Sequence, residues 1–156
     1  MRKHRILVLA IGFGLSTAGL AQEATWRKDI QPIIKKACGE CHGKDSPSYE
    51  EWNLDRKKFE DNSIGPRMDN YSDFMRHVVW PATGSMQRRL DDGKSSGGKP
   101  GNMYKHLGGN DQERADNLAT IKSWLGEGAW NLNRWEKRGE VPAVTKEQLD
   151  KVKAKY

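Results

Sequence analysis

The chain has 156 residues, enough for one domain with a modest core and short extensions. Hydrophobic residues make up 35% and charged residues 31% of it, a balance that excludes an intrinsically disordered protein. The formal net charge is +6, and it falls to about +3 without the basic N-terminus, too little to indicate nucleic-acid binding.

The N-terminus has the pattern of a secretory signal. A basic segment, residues 1–5, precedes an apolar run from Ile6 to Leu15. Small residues, Gly19 and Ala21, occupy both positions that a signal peptidase reads before the cleavage site. We therefore expect residues 1–21 to be removed by cleavage after Ala21 and the mature protein to be periplasmic. The alternative, an uncleaved membrane anchor, is disfavoured because the apolar run ends near Leu20, short of the roughly 20 apolar residues of a spanning helix.

The first helix is predicted over Trp26 to Ala37. Asp29 can cap it and Pro32 suits its first turn. Its apolar positions recur at helical spacing and form one stripe, made of Ile30, Ile33, Ile34 and Ala37. This helix leads directly into the cysteine motif.

Both cysteines of the chain lie in the sequence Cys38-Gly39-Glu40-Cys41-His42. Positions i, i+3 and i+4 share one helix face, so both sulfurs can reach the two vinyl groups of a haem while the imidazole points at the iron. Cys-x-x-Cys-His is the attachment signature of c-type haem. The motif predicts one haem c, covalently bound at Cys38 and Cys41, with His42 as the proximal iron ligand.

Other uses of two cysteines fit this sequence less well. A thioredoxin-like pair follows a strand in a βαβ unit, whereas a helical pattern precedes Cys38. A structural zinc site needs further ligands at suitable spacing, and no second Cys/His pair is present. A disulfide across two intervening residues would constrain almost nothing.

The middle of the chain alternates between open stretches and helical patterns. Residues 43–65 are polar and predicted to be irregular, and a second helix is predicted from Tyr71 to Trp80, started by Asn70 or Ser72 and stopped by Pro81. Residues 84–101 contain a Gly/Ser-rich run and are predicted to be an open loop.

The last main helix is predicted over Asn110 to Leu125, opened by a capping-box pattern of Asn110 and Glu113. Its expected buried stripe is Ala115, Leu118, Ile121, Trp124 and Leu125. Thr145 and Gln148 open a short lysine-rich helix in the tail, interpreted as a solvated appendage. This divides the mature chain into a haem domain, residues 22–128, and a C-terminal extension, residues 129–156.

Taken together, these motifs resemble class I cytochrome c over roughly Trp26 to Leu125. The resemblance rests on a helix running into Cys38-Gly39-Glu40-Cys41-His42-Gly43, a middle helix, Pro100-Gly101-Asn102-Met103-Tyr104 and a final helix containing Trp124. It implies an all-α fold with three main helices around one haem, the first and last packed together. It also implies Met103 as the distal iron ligand, opposite His42. The long loop before Met103 and the C-terminal extension depart from the family.

Other residues compete with Met103 for the distal position. Met86 lies in a plausible loop, and His77 or His106 would give bis-histidine ligation. Met68 and Met75 are expected to be structural, since they precede or lie on the middle helix. We also expect a backbone carbonyl to orient the His42 ring, with Pro47 as one possible source.

These features predict a protein that transfers single electrons between redox partners and is not itself an enzyme. The alternatives are a haem-bearing subunit of an oxidoreductase, or a gas sensor with an open iron position. A cationic rim could steer an acidic redox partner, formed by Lys44, Arg88, Lys99 and Lys105. The same charges could equally serve solubility.

Overall fold

The computed structural model describes residues 23–94, 98–126, 128–132 and 144–156, so the predicted signal segment lies outside it. The α-helices within these ranges are α1 (Gln31–His42), α2 (Tyr49–Leu54), α3 (Arg56–Asp61), α4 (Tyr71–Arg76), α5 (Ser85–Leu90), α6 (Asp111–Leu125) and α7 (Lys146–Leu149). No strand occurs in the described part of the chain, which confirms the all-α prediction. None of its helices is long and apolar enough to cross a membrane.

The first predicted helix begins with a π-helical turn, Trp26–Ile30, and continues as α1. Its cap differs from the prediction, because Thr25 Oγ1 accepts the Lys28 N–H at 3.4 Å. The Asp29 carboxylate instead accepts the Thr25 N–H at 2.7 Å. Thr25 is therefore the capping residue, and the cap lies one turn earlier than the predicted Asp29.

The middle helix is shorter than predicted. Asn70 does cap it, accepting the Asp73 N–H at 3.0 Å, but α4 ends at Arg76. The next two amides, of His77 and Val78, bond to carbonyls three residues earlier, which tightens the last turn and ends the helix before Pro81.

Both stretches predicted to be irregular contain short helices. In residues 43–65, Ser48 and Glu51 form a capping box for α2, and Asp55 caps α3. In residues 84–101, α5 buries Met86, Gln87 and Leu90. The prediction of open loops was wrong in both places, because helices of about two turns present too few apolar positions to show a period.

The last main helix agrees closely with its prediction. Asn110 accepts the Glu113 N–H at 2.9 Å, and Leu118, Ile121, Trp124 and Leu125 are buried. Ala115 is exposed, contrary to the expected stripe, because the first turns of α6 lie at the surface.

An aromatic cluster holds the three main helices together. The Trp26 ring centroid lies 5.2 Å from that of Phe74 and 5.9 Å from that of Trp124, and Phe74 lies 5.8 Å from Trp124. These rings come from the first, middle and last helices, and each is almost fully buried. The expected packing of first against last helix is confirmed by the contact between Trp26 and Trp124.

The described end of the tail is part of this core. The Lys155 carbonyl accepts the Trp26 backbone N–H and the Trp124 Nε1–H, both at 2.8 Å. The Lys153 N–H donates to the Leu125 carbonyl at 2.7 Å. The helix predicted to open at Thr145 and Gln148 is present as α7, where these two residues form a capping box. No residue of α7 is buried, as expected of a solvated appendage. The residues after it, 151–156, were not expected to pack, and they lie against the aromatic cluster.

Candidate functional site

The cysteine motif forms the last turns of α1. Cys38 and Cys41 are half-buried free thiols, and Cys38 packs against the hydrophobic core. Burial, followed by the neighbouring Cys41, raises the pKa of Cys38 to about 11. Redox-active Cys-x-x-Cys pairs show the opposite shift, toward a reactive thiolate. The thiols therefore suit covalent attachment of a group better than disulfide exchange.

The His42 ring is fixed by a backbone carbonyl. Its Nδ1 lies 2.7 Å from the Pro66 oxygen, which can only accept, so Nδ1 carries the proton. Burial lowers the pKa of His42 below its usual value, which favours the neutral ring. The Nε2 lone pair is then available for a metal. Carbonyl orientation of this ring was expected, but Pro47 was the wrong source, since its carbonyl accepts the Arg67 N–H at 2.8 Å.

Gly65 lies directly against the same ring. A Cβ placed on Gly65 would be 1.9 Å from His42 Cε1 and 2.4 Å from Nδ1. The Gly65 N–H also donates to the Cys41 carbonyl at 2.8 Å, and the Met68 N–H donates to the His42 carbonyl at 2.9 Å. Gly65 and Pro66 were not identified from the sequence, where their only mark is a Gly-Pro pair typical of a turn.

Met103 is anchored beside α5. It is half-buried, and its N–H donates to the Arg89 carbonyl at 3.0 Å. The preceding Gly101 has no room for a side chain, because a Cβ there would lie 2.2 Å from the Arg89 oxygen. The glycine therefore allows the Met103 loop to approach the end of α5.

The other candidates for the distal position lie in different environments. Met86 is on α5 and only 5% exposed, so it is part of the core and not in a loop as predicted. Met68 is buried and Met75 packs against the core, consistent with structural roles. His77 is buried, whereas His106 is exposed.

Several of these groups converge on His42. Arg89 and His106 are close enough for their charges to depress the pKa of His42, after the larger effect of burial. His42 and Arg89 act on His77 in the same way. The chain segments carrying His77, Arg89 and His106 therefore lie near the end of α1, and Met103 is hydrogen-bonded to the backbone of Arg89.

The predicted cationic rim is only partly exposed. Lys44, Lys99 and Lys105 are exposed, and Lys105 lines an open groove of about 460 Å³ beside Met103. Arg88 is half-buried and donates to the Thr83 carbonyl at 3.0 Å, which makes it a structural residue.

Comparisons with known proteins place this site in context. The family model for PccH cytochrome c matches residues 25–156. Among solved structures, the chain is similar to monoheme cytochrome PccH from Geobacter sulfurreducens. The two share 44% sequence identity with a TM-score of 0.74, over 86% of this chain and 99% of that one. No curated protein matches the chain.

Proposed function

The chain belongs to the PccH cytochrome c family and carries one covalently bound haem c, and we propose that it transfers single electrons through a haem held at Cys38, Cys41 and His42. The observation that carries this assignment is the fixed His42 ring, whose Nδ1 is held 2.7 Å from the Pro66 oxygen while Nε2 is left for a metal.

The residues around the motif fit a haem. Cys38 and Cys41 supply two thiols one helical turn apart, the spacing that two thioether bonds need. The absence of a side chain on Gly65 leaves room for the His42 ring in its fixed orientation, and a buried ring nitrogen of His77 has no hydrogen-bond partner in the protein. When bound, the haem supplies the one-electron couple between ferric and ferrous iron. The chain positions the proximal imidazole and limits the access of water.

The assignment predicts a specific product after export. The purified protein should have the mass of residues 22–156 plus one haem, and its pyridine adduct should show the spectrum of a haem with two thioether bonds. Cys41→Ser should leave one vinyl group unsaturated and shift that spectrum. A potentiometric titration of the wild type should follow a one-electron curve. A colourless protein of apo mass with both thiols free would contradict the proposal.

We assign the distal position to Met103. It lies in the loop ahead of the last helix and is half-buried beside the Arg89 backbone, whereas Met86 is enclosed by the core. A thioether suits ferrous iron and gives a higher reduction potential than a second imidazole.

Met103→Ala should abolish the weak near-infrared band that a methionine sulfur gives with ferric iron. It should also lower the reduction potential and let the reduced protein bind carbon monoxide rapidly, because the iron loses its sixth ligand. Met86→Ala is the matched control, expected to cost about 2–5 kcal/mol of stability while keeping the band. Survival of the band in Met103→Ala would show that another residue binds the iron.

Location and partners follow from the same proposal. Covalent haem attachment of this kind is completed outside the cytoplasm, so the predicted cleavage after Ala21 and a periplasmic location are consistent with it. Lys44, Lys99 and Lys105 offer exposed positive charge to an acidic redox partner, in a small and salt-sensitive interface.

A further inference from the structure

His77 is the most unusual polar residue near the proposed haem. Its side chain is 4% exposed, and the ring lies edge-on to Tyr49 with 5.3 Å between centroids. Nδ1 is 3.1 Å from Ser85 Oγ. Nε2 is buried and has no hydrogen-bond partner in the protein.

An unpaired buried nitrogen is costly. Leaving one buried donor or acceptor unsatisfied costs about 1–3 kcal/mol, and native proteins rarely leave such groups without a partner. The ring cannot turn away easily, because Tyr49 packs against it and Ser85 holds its other nitrogen. The missing partner is therefore expected to come from a group that the protein binds.

The surrounding charges favour an anion as that partner. Burial is the largest of the effects that lower the pKa of His77 to about 4, and the neighbouring His42, Arg89 and Arg76 add to it, so the ring is neutral at pH 7. Arg76 pairs with Glu50, and Arg89 donates to the Asn102 amide oxygen at 3.1 Å. Both guanidinium groups act on the His77 ring as positive charges, and they would attract a carboxylate next to it in the same way.

The hydrogen bonds of Ser85 are compatible with a proton on Nε2. The His77 carbonyl already accepts the Met86 N–H at 3.0 Å. Ser85 Oγ also lies within donating distance of that carbonyl, at 3.2 Å. Because the carbonyl keeps the Met86 N–H as a donor, the single Ser85 hydroxyl proton can go to Nδ1 without leaving the carbonyl unpaired. The proton of the neutral imidazole then resides on Nε2, which makes Nε2 a donor.

We propose that His77 Nε2 donates a hydrogen bond to a propionate of the bound haem, so that His77 positions the haem edge and helps to set its reduction potential. This inference rests on the proposed haem site, since the propionates are the carboxylates that a haem brings. A donor to a propionate disperses its negative charge, and this stabilises the ferrous state relative to the ferric state.

The protonation of His77 can be read in the unmodified holoprotein. In the reduced, diamagnetic form, nitrogen-15 NMR should show Nε2 protonated and Nδ1 unprotonated, with a nuclear Overhauser contact from the His77 ring to propionate methylene protons. A haem-loaded protein with a proton on Nδ1 and iron on Nε2 would make His77 a ligand, which would overturn this inference and the assignment of Met103 but leave the haem attachment intact. A protein without haem would overturn the proposed function as well.

Variants test the same bond by a second route. His77→Phe keeps a flat ring against Tyr49 but has no donor, and it should shift the propionate bending mode in resonance Raman spectra and lower the reduction potential. His77→Gln keeps an amide donor and should recover part of both effects. His106→Phe, at an exposed histidine that also acts on His42, should leave the propionate mode unchanged. An unchanged propionate mode and potential in haem-loaded His77→Phe would refute the proposal.

Discussion

Gly65→Ala should leave most of the exported protein without a natively coordinated haem. The added Cβ would lie 1.9 Å from Cε1 and 2.7 Å from Nε2 of the His42 ring, so the ring must move. Any such movement breaks the 2.7 Å hydrogen bond from Nδ1 to Pro66 and turns Nε2 away from its fixed direction. Overpacking and the lost bond together should cost about 2–4 kcal/mol. The measurements are the ratio of Soret to protein absorbance, the reduction potential and the thermal unfolding of the holoprotein.

Gly39→Ala provides a matched control within the cysteine motif. A Cβ at Gly39 meets nothing within 4 Å, and Gly39 lies inside α1. Alanine should therefore stabilise the helix by roughly 0.5–1 kcal/mol while haem content stays at the wild-type level. If Gly65→Ala behaved like Gly39→Ala, with normal haem content and potential, the close packing of Gly65 on a rigid imidazole would be refuted.

This contrast also shows what sequence alone can reveal about the site. The spacing of Cys38, Cys41 and His42 is local chemistry on one helical turn, so it is visible without a structure. The group that orients His42 comes from Pro66, 24 positions away. Nothing in the local pattern distinguishes its carbonyl from that of Pro47, which is why Pro47 was chosen wrongly.

The prediction of the fold also succeeded where the information is local and failed where it depends on distant residues. The first and last main helices are long enough to show an apolar period, and both were placed within a few residues. The helices α2, α3 and α5 each have six residues, so their formation depends on caps and on tertiary burial more than on a pattern. The role of His77 was equally hidden, because its burial depends on Tyr49 and Ser85 from other segments.

The packing of residues 151–156 was missed for a related reason, since its contacts are made by backbone groups. The end of the chain is rich in lysine, and this composition favoured a solvated segment. The structure instead uses the carbonyl of Lys155 to accept from both Trp26 and Trp124, and places the half-buried Val152 and Ala154 against the core. Side-chain composition carries no information about such backbone hydrogen bonds.

Deletion of residues 151–156 should therefore destabilise the protein strongly although the segment is distant in sequence from the cysteine motif. Among the bonds lost are three hydrogen bonds to the core, at about 1 kcal/mol each: those of Lys155 with Trp26 and Trp124, and that of Lys153 with Leu125. Lost burial of Val152 and Ala154 adds about 1–2 kcal/mol. The total, about 4–5 kcal/mol, corresponds to a fall in Tm on the order of 15 °C. Thermal unfolding followed by circular dichroism measures this change.

Lys155→Ala is the control that separates the side chain of Lys155 from its backbone. The Lys155 ammonium pairs with Glu23 at the surface, where both side chains are more than half exposed, so Lys155→Ala should change stability by less than about 0.5 kcal/mol. That variant keeps the carbonyl that accepts from Trp26 and Trp124. Equal losses in the deletion and in Lys155→Ala would mean that the ion pair holds the tail. A large loss in the deletion alone would show that the backbone of the tail completes the aromatic core.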